Sequence, residues 1–481
     1  MLDLPKAYKC LQCSALSMLL LLTAGCLGTK PTNSTPVIVT PNNWQTEYEI
    51  QKPDGKFTFP ASDFSGTPVL ALVKEALEKS PFLESSQALA EVAGAQLEMI
   101  KGNRRPQLNG QFRSTRQKHN FATSAAFGRH FGGSTFITNH YAADLVSSWE
   151  LDLWGRLRDL ENAASADFES ALQDFESARL SIAAKTTSAY IKLLSTSLAK
   201  TLVEETVGSY RDNLDIIQNR YEDGLASALD LRLTQASLTS SRAKFERHER
   251  EEQEAKRALE VLLGRYPSAG FSSENTLPKV VSPIPAGLPS ELISRRPDIR
   301  AAQKRLLAAG FRANEARKNY LPRLSLTGTN GTASQSLRDL NDTSFSAWNL
   351  VGNLTQPLLD GGRIKAQRKY TSALRKKAAA DYKNVVLKAF KEVEDALDAE
   401  ARLAREEASL EQAALEYSDA ETLAWDRYRK GLTDILTALE AQRRSNEARI
   451  LHLSLRSQRI INRIQLHLAL ATPLTLESPT L

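Results

Sequence analysis

The segment RYEDGL at residues 220–225 recurs as RYRKGL at residues 427–432, which is 207 positions later. The same offset of 207 relates GRLR at 155–158 to GRIK at 362–365. Two matched segments that lie far apart and keep one offset are hard to obtain by chance, so they indicate that the chain contains a duplicated unit. The predicted fold is therefore one that this unit builds twice.

The upstream part of the unit matches at a different offset. Pro81 corresponds to Pro297, and RPQL at 105–108 corresponds to LPRL at 321–324, both 216 positions later. The offset changes by nine between the two groups of matches. The first copy is therefore expected to carry nine additional residues between positions 106 and 155.

Each copy contains long segments that lack helix-breaking residues. Neither Pro nor Gly occurs between Arg363 and Lys430, and Gly208 is the one interruption between Arg156 and Asp223. Apolar residues recur there every three to four positions, which predicts amphipathic helices of roughly 100 Å at about 1.5 Å per residue. No strict heptad persists, which disfavours a simple two-stranded coiled coil. Helices are predicted over 156–222, 225–264, 363–430 and 432–470.

The middle of each copy changes its hydrophobic period from 3.6 to 2. Apolar and polar residues alternate in YAADLVSSWELDL at 141–153 and in FSAWNLVGNLTQ at 345–356. This alternation is typical of strands with one apolar and one polar face. Strands are predicted over 106–118, 140–154, 322–333 and 345–359.

Two environments suit such strands. In a soluble sheet the apolar face packs on a core, whereas in a membrane barrel it meets lipid and the polar face lines water. The N-terminal signal described next favours the barrel. Lipid cannot satisfy a free strand edge, and the smallest bacterial barrels have about eight strands. Four strands per chain therefore predict a barrel that two, three or more chains share.

The N-terminus is typical of a secreted protein. Lys6 and Lys9 precede an apolar stretch at 11–22, and Thr-Ala-Gly then leads into Cys26. This arrangement resembles a bacterial lipobox, in which the cysteine is acylated and becomes the first mature residue. Leu27 follows instead of Asp, which resembles lipoproteins sent to the outer membrane. Cys26 is therefore predicted to carry covalent lipid; the alternative is an ordinary signal peptide with an incidental cysteine.

These observations predict the following organisation along the chain. It comprises a lipoprotein signal peptide at 1–25, the lipidated Cys26 and an extended tether over 26–67, a first repeat at 68–265, a Pro-rich linker at 266–286, a second repeat at 287–472 and a tail at 473–481.

Composition disfavours chemistry and nucleic-acid binding. The chain has 62 Lys and Arg against 56 Asp and Glu, a surplus too small for a nucleic-acid-binding surface. No phosphate-binding loop or nucleophile elbow occurs. His119, His130 and His140 share a predicted loop, where solvated side chains are a better interpretation than a metal site. We expect no enzyme activity, no metal and no cofactor beyond the lipid.

Several motifs in this order resemble one known family. They are RPDIRAAQKRL at 296–306, NYLPRLSLTG at 319–328, WELDLWGR at 149–156 and the RYxxGL pair. The chain resembles the TolC-like outer-membrane efflux proteins, in their lipoprotein branch of multidrug efflux factors. The resemblance implies a mixed α/β membrane protein built from duplicated helix–strand–strand–helix units. Three protomers would form a 12-stranded outer-membrane β-barrel continuous with a long periplasmic α-helical barrel.

The resemblance also implies functional residues. The periplasmic tip would lie at the two helix turns, where Gly224 and Gly431 permit sharp reversals. Asp230 would bond Tyr428 to hold the tip closed, and Glu440 would form an acidic ring at the aperture. The arginine that joins this latch in the family's best-studied member is replaced by Thr433. The alternative is that these residues are solvated helix charges and a core tyrosine.

The function implied is that of a passive exit duct of a tripartite efflux or secretion system. A homotrimer, anchored by lipid in the outer membrane and extending into the periplasm, would dock with a periplasmic adaptor (membrane fusion) protein and an inner-membrane pump. The alternative function is a structural helical lipoprotein that spans the periplasm without forming a pore.

Overall fold

The computed structural model describes residues 41, 44–45, 67–120, 135–272, 276–279 and 289–472. These residues fall into two compact units. The described part of the first unit comprises 91–120, 135–170 and 303–381, and includes the four strands. That of the second consists of helical segments within 67–90, 171–302 and 382–472, with residues 41 and 44–45.

The first copy has four helices and two strands. In chain order these are α1 (Val69–Lys79), α2 (Pro81–Gly102), β1 (Gln107–Asn120), β2 (Thr135–Leu151), α3 (Arg156–Glu222) and α4 (Ala228–Leu262). The helix expected over 225–264 begins at Ala228, because the preceding residues form the turn and the helix cap. The strand expected over 140–154 ends at Leu151, because Asp152 turns to cap α3.

The second copy repeats this order. It comprises α5 (Pro289–Arg295), α6 (Pro297–Lys318), β3 (Arg323–Ser334), β4 (Ser346–Thr355), α7 (Arg363–Arg429) and α8 (Ile435–Ala469). Helices α3 and α7 have 67 residues each, and α4 and α8 have 35 each. Pro81 and Pro297 each begin a helix, where a missing N–H costs nothing. In the described part of the chain, no helix combines the length and apolarity needed to cross a bilayer.

The four strands form one antiparallel sheet in the order β1-β2-β3-β4. The central pairing of β2 with β3 joins the two copies and sets Trp149 opposite Leu326. The outer strands β1 and β4 each pair with one neighbour among the described residues. Within the described residues, the sheet therefore has two free edges.

The register places apolar and polar residues on opposite faces of this sheet. The apolar face carries Leu108, Phe112, Tyr141, Leu145, Trp149, Leu151, Leu324, Leu326, Trp348, Leu350 and Leu354. The polar face carries Asn109, Gln111, Arg113, Asp144, Ser148, Glu150, Ser325, Thr327, Asn349 and Asn353, together with Val146 and Val351. Trp348 is 79% exposed and Leu350 68% exposed. The described residues of this chain thus leave the apolar face largely uncovered.

Each strand-to-helix junction is fixed by an aspartate that caps the following long helix. Asp152 accepts hydrogen bonds from the backbone N–H groups of Leu157 (3.0 Å) and Arg158 (2.8 Å). Asp360 accepts from those of Gly362 (3.0 Å) and Ile364 (2.6 Å). Capping satisfies N–H groups that lack partners in the first helical turn. Each long helix therefore begins at a defined position below its strand.

The core of the second unit lies between its helices and also holds two segments predicted as connectors. Leu277 of the linker is buried in this core, and Glu260 accepts hydrogen bonds from the backbone N–H groups of Ala269 (2.7 Å) and Gly270 (2.9 Å). Trp44, within the predicted tether, is buried with its ring 6.1 Å from that of Phe390 in α7. Both segments are thus attached to the helices at specific points.

Candidate functional site

The two helix turns have the same backbone geometry. Gly224 and Gly431 both have φ of +73°, a left-handed conformation that glycine adopts without steric cost. The N–H of Leu225 donates to the carbonyl of Arg220 (2.7 Å), as the N–H of Leu432 does to Arg427 (2.9 Å). These bonds, which reach back five residues, complete a Schellman motif at each helix end. The sequence motif RYxxGL therefore encodes the turn.

Asp230 lies just beyond the first turn and is engaged in capping α4. Its carboxylate accepts from the backbone N–H of Ser227 (2.9 Å), and its own N–H donates to the Ser227 hydroxyl (3.2 Å). This is a capping box. Among the described residues, the structure gives no hydrogen bond between Asp230 and Tyr428. The two are nonetheless near enough that the negative charge of Asp230 contributes to raising the Tyr428 pKa, after the larger effect of burial.

Tyr428 is buried at the end of α7 and is held through its ring. The guanidinium of Arg220 lies over that ring, 5.2 Å from its centre. Trp425 meets the ring edge-on at 5.8 Å. A cation over an aromatic face is worth about 0.5–1 kcal/mol when exposed and about 2 kcal/mol when desolvated. Sequence reasoning did not single out Arg220, although it is the first letter of RYEDGL.

A shared core lies beneath the turns and packs the two hairpins together. Its buried residues are Tyr210, Ile217, Leu238, Ala424, Trp425, Tyr428, Ile435, Ala438 and Leu439. Burial raises the pKa of Tyr210 to about 12. Gln442 is buried here, accepts from the Asn213 amide (3.3 Å) and donates to the Ser209 hydroxyl (2.8 Å), which links α8 to α3. The turns therefore rest on a packed and hydrogen-bonded base.

Glu440 in α8 is paired with two arginines of its own helix. Arg443 donates to both carboxylate oxygens (2.7 and 2.9 Å), and Arg444 donates to one (2.7 Å). The hydrogen bonds from Arg443 and Arg444 lower the Glu440 pKa to about 2. The carboxylate is therefore ionised at neutral pH. Its charge is offset by these neighbours, which the prediction of an acidic ring did not include.

Both turns expose leucines at equivalent positions. Leu225 and Leu229 flank the first turn, Leu432 and Leu436 flank the second, and all four are exposed. Thr433 lies between Leu432 and the helix cap Asp434. Clustered apolar side chains on an exposed surface are typical of an interaction site.

Two predicted sites lie wholly or partly beyond the residues that the structure describes. Cys26 and His130 are outside them. His119 shares a hydrogen bond with the Thr138 hydroxyl (2.9 Å) and stacks on Phe136. Over the described ranges, no group of three or more His, Cys, Asp or Glu residues is placed to hold a metal ion.

Comparisons with known proteins match this fold along most of the chain. The family model for outer membrane efflux protein matches twice, at residues 72–265 and 288–472. The outer membrane protein OprJ of Pseudomonas aeruginosa is 32% identical over 458 residues, which is 94% of each chain. The toluene efflux pump outer membrane protein TtgF of Pseudomonas putida is 31% identical over 70% of each chain.

A solved structure has the same fold. The CmeC outer membrane channel of Campylobacter jejuni superposes with a TM-score of 0.85, at 22% identity, over 92% of this chain and 96% of that one. The mixed helix and strand fold predicted from the sequence is confirmed at this level. The two family matches and the full-length similarity to OprJ show that the chain belongs to the outer membrane efflux protein family.

Proposed function

We propose that three copies of this chain close into one tube, which serves as the passive outer-membrane exit duct of a tripartite efflux system. The observation that carries this proposal is the open four-stranded sheet, with one uncovered apolar face and two free edges. Each further feature below supports one part of the duct.

The free edges support closure between copies. In lipid every backbone polar group needs a partner within the protein, so β1 and β4 require further strands. Pairing β1 of one copy with β4 of the next is a head-to-tail contact, which closes into a ring when the rotation fits. Three copies would supply twelve strands, above the minimum of about eight found in bacterial barrels.

The two faces support a water-filled lumen. The apolar face would lie outward against lipid, and the polar face, with Asp144 and Glu150, would line water. Solutes would then cross the membrane without entering lipid. The long helices α3, α4, α7 and α8 would build the periplasmic part of the duct, twelve helices in three copies.

The turns support a narrow periplasmic end that partners recognise. Arg220 would hold Tyr428 at this end, and Glu440 with its two arginines would form a ring of alternating charge at the aperture. The exposed leucines at both turns offer a periplasmic adaptor an apolar docking surface. The adaptor would connect the duct to an inner-membrane pump.

A lipid on Cys26 would attach the protein to the membrane separately from the barrel. The attachment of Trp44 to α7 supports this arrangement. The backbone N–H of Gln45 also donates to Glu394 (2.7 Å), which strengthens this attachment. An extended chain reaches about 3.3–3.6 Å per residue, so the segment from Cys26 to Trp44 would bridge roughly 60 Å. A lipid on Cys26 could therefore reach the membrane surface while Trp44 stays on α7.

The experiment is conductance of the purified protein in planar bilayers, combined with light scattering in detergent. We expect discrete channel currents and a protein mass three times that of the mature chain. A monomeric mass, or a trimer that carries no current under any applied voltage, would refute the duct.

A further inference from the structure

Each helix hairpin contains an ion pair between its two long helices, at the same position in both copies. In the first copy Lys200 of α3 pairs with Glu252 of α4 (3.0 Å). In the second, Arg459 of α8 pairs with Glu407 of α7 (2.7 Å). Residues 200 and 407 correspond at the offset of 207, and so do residues 252 and 459. The position is duplicated, but the signs are exchanged.

Neighbouring charges extend both pairs. Lys200 also bonds Glu249 (2.5 Å), which raises the Lys200 pKa, and Lys256 bonds Glu252 (3.0 Å). In the second copy Glu400 accepts from both Arg459 and Arg463 (3.0 Å each). The side chains of Glu252 and Glu400 are only 6% and 1% exposed. Because these carboxylates are shielded from water, their electrostatic interaction with charges on the facing helix is strong.

The exchange of signs matters because the two hairpins have nearly interchangeable helices. The lengths of α3 and α7 are equal, as are those of α4 and α8. Helix α3 already contacts α8 in the native structure, through Glu205 and Arg449 (3.1 Å). If α3 paired along its length with α8 in the hairpin register, Lys200 would face Arg459. If α7 paired with α4, Glu407 would face Glu252 and Glu249.

We propose that these sign-exchanged ion pairs form a pairing code, which directs each long helix to the return helix of its own repeat and rejects that of the other. Correct pairing, of α3 with α4 and of α7 with α8, sets opposite charges together in both hairpins. Exchanged pairing, of α3 with α8 and of α7 with α4, sets like charges together in both. Partner choice through such charge complementarity is known from paired helices in general. The same charges would reject α8 of another copy as a partner of α3, because Arg459 would again face Lys200.

The test uses three full-length variants that leave the net charge unchanged. The first-copy reversal carries Lys200→Glu, Glu249→Lys, Glu252→Lys and Lys256→Glu. The second-copy reversal carries Glu400→Lys, Glu407→Lys, Arg459→Glu and Arg463→Glu. The eightfold variant carries both sets. Every ion pair described above stays opposite in sign in all three variants. Either single-copy reversal gives the two hairpins the same arrangement of signs, so pairing α3 with α8 or α7 with α4 no longer sets like charges together.

Refolding from urea into detergent micelles measures the effect, as the fraction recovered at native size with protease-resistant helices. We expect each single-copy reversal to lower this fraction about tenfold, because exchanged pairing no longer opposes like charges. The eightfold variant should recover most of the yield. The folded protein of every variant should have the same midpoint of thermal unfolding, because the native ion pairs remain opposite in charge.

Two results would overturn the code. Wild-type yield in both single-copy reversals would mean that the signs do not guide pairing. An eightfold variant that refolds no better than the single-copy reversals would mean that the substitutions harm folding individually.

Discussion

Replacing Leu350 by arginine tests which face of the sheet meets lipid. Leu350 lies on the apolar face of β4, and the adjacent Asn349 lies on the polar face. Both are exposed in the single chain. The paired variants Leu350→Arg and Asn349→Arg therefore add the same charge, one residue apart, on opposite sides of one strand.

The magnitude follows from the position of Leu350 along β4. The strand has ten residues, Ser346–Thr355, and Leu350 is near its middle. At about 3.4 Å per residue and a tilt of about 45°, the strand covers about 24 Å, close to the apolar band of about 25 Å in outer-membrane barrels. Arginine near the midplane costs about 2–4 kcal/mol per copy, hence about 6–12 kcal/mol for the three copies of the proposed ring. Asn349→Arg faces water and should stay within about 0.5 kcal/mol.

The assay is urea unfolding of protein folded into phosphatidylcholine vesicles, with trypsin protection as the readout of the folded state. Leu350→Arg should fold poorly or unfold at a much lower urea concentration, and Asn349→Arg should resemble the wild type. Equal midpoints for the two variants, or a larger loss for Asn349→Arg, would refute the assignment of the apolar face to lipid.

Three further predictions concern the turns and the aperture. Gly431→Ala should lower the free energy of unfolding by about 1–2 kcal/mol, because the backbone at Gly431 is left-handed. Gly208→Ala inside α3, where the new methyl group meets open space, should raise the free energy of unfolding by about 0.5–1 kcal/mol. Midpoints of thermal unfolding that shift in the same direction for both variants would contradict this. Glu440→Gln leaves two arginines without their shared carboxylate and should shift the reversal potential in a KCl gradient toward anions. Because the Glu440 pKa is lowered to about 2, Glu440 stays ionised as the pH falls from neutral to about 4, so the ion selectivity of the wild-type channel should stay constant over that range. A change in wild-type ion selectivity near pH 4 or 5 would show that Glu440 is not paired. Arg220→Gln should raise the single-channel conductance, because it removes the cation that lies over the Tyr428 ring. Tyr428→Phe should leave the conductance unchanged, because phenylalanine retains the ring. The reverse result would favour a latch made by the Tyr428 hydroxyl over the contact between cation and ring.

The periodic parts of the fold were accessible from the sequence because hydrophobic spacing determines which faces are buried. The run from Arg363 to Lys430 predicted a helix that ends at Arg429. The pairing of β2 with β3 was not accessible, because alternation assigns faces to a strand but not neighbours. The attachment of Trp44 to α7 was equally hidden, since it joins residues far apart in the chain.

The two helix turns were accessible from RYxxGL, whereas most contacts around them were not. Ser227 lies three residues before Asp230, which is the spacing of a capping box. This local signal predicts the hydrogen bond that the Asp230 carboxylate accepts, and Tyr428 takes no part in it. The arginines three and four residues after Glu440 are likewise visible at helical spacing. The position of Arg220 over Tyr428 needed the structure, because it brings the end of α3 against the end of α7.

The joining of the two copies through β2 and β3 halves the number of chains that the proposed twelve-stranded ring requires. A chain with a single copy would supply two strands, and six such chains would have to meet to close a twelve-stranded ring. Here the central pairing forms within one molecule, so it needs no encounter between chains. In the proposed trimer, the equilibrium concentration of closed rings then depends on the third power of the free-chain concentration instead of the sixth. Covalent duplication thus reduces the number of seams between chains in the proposed ring from six to three.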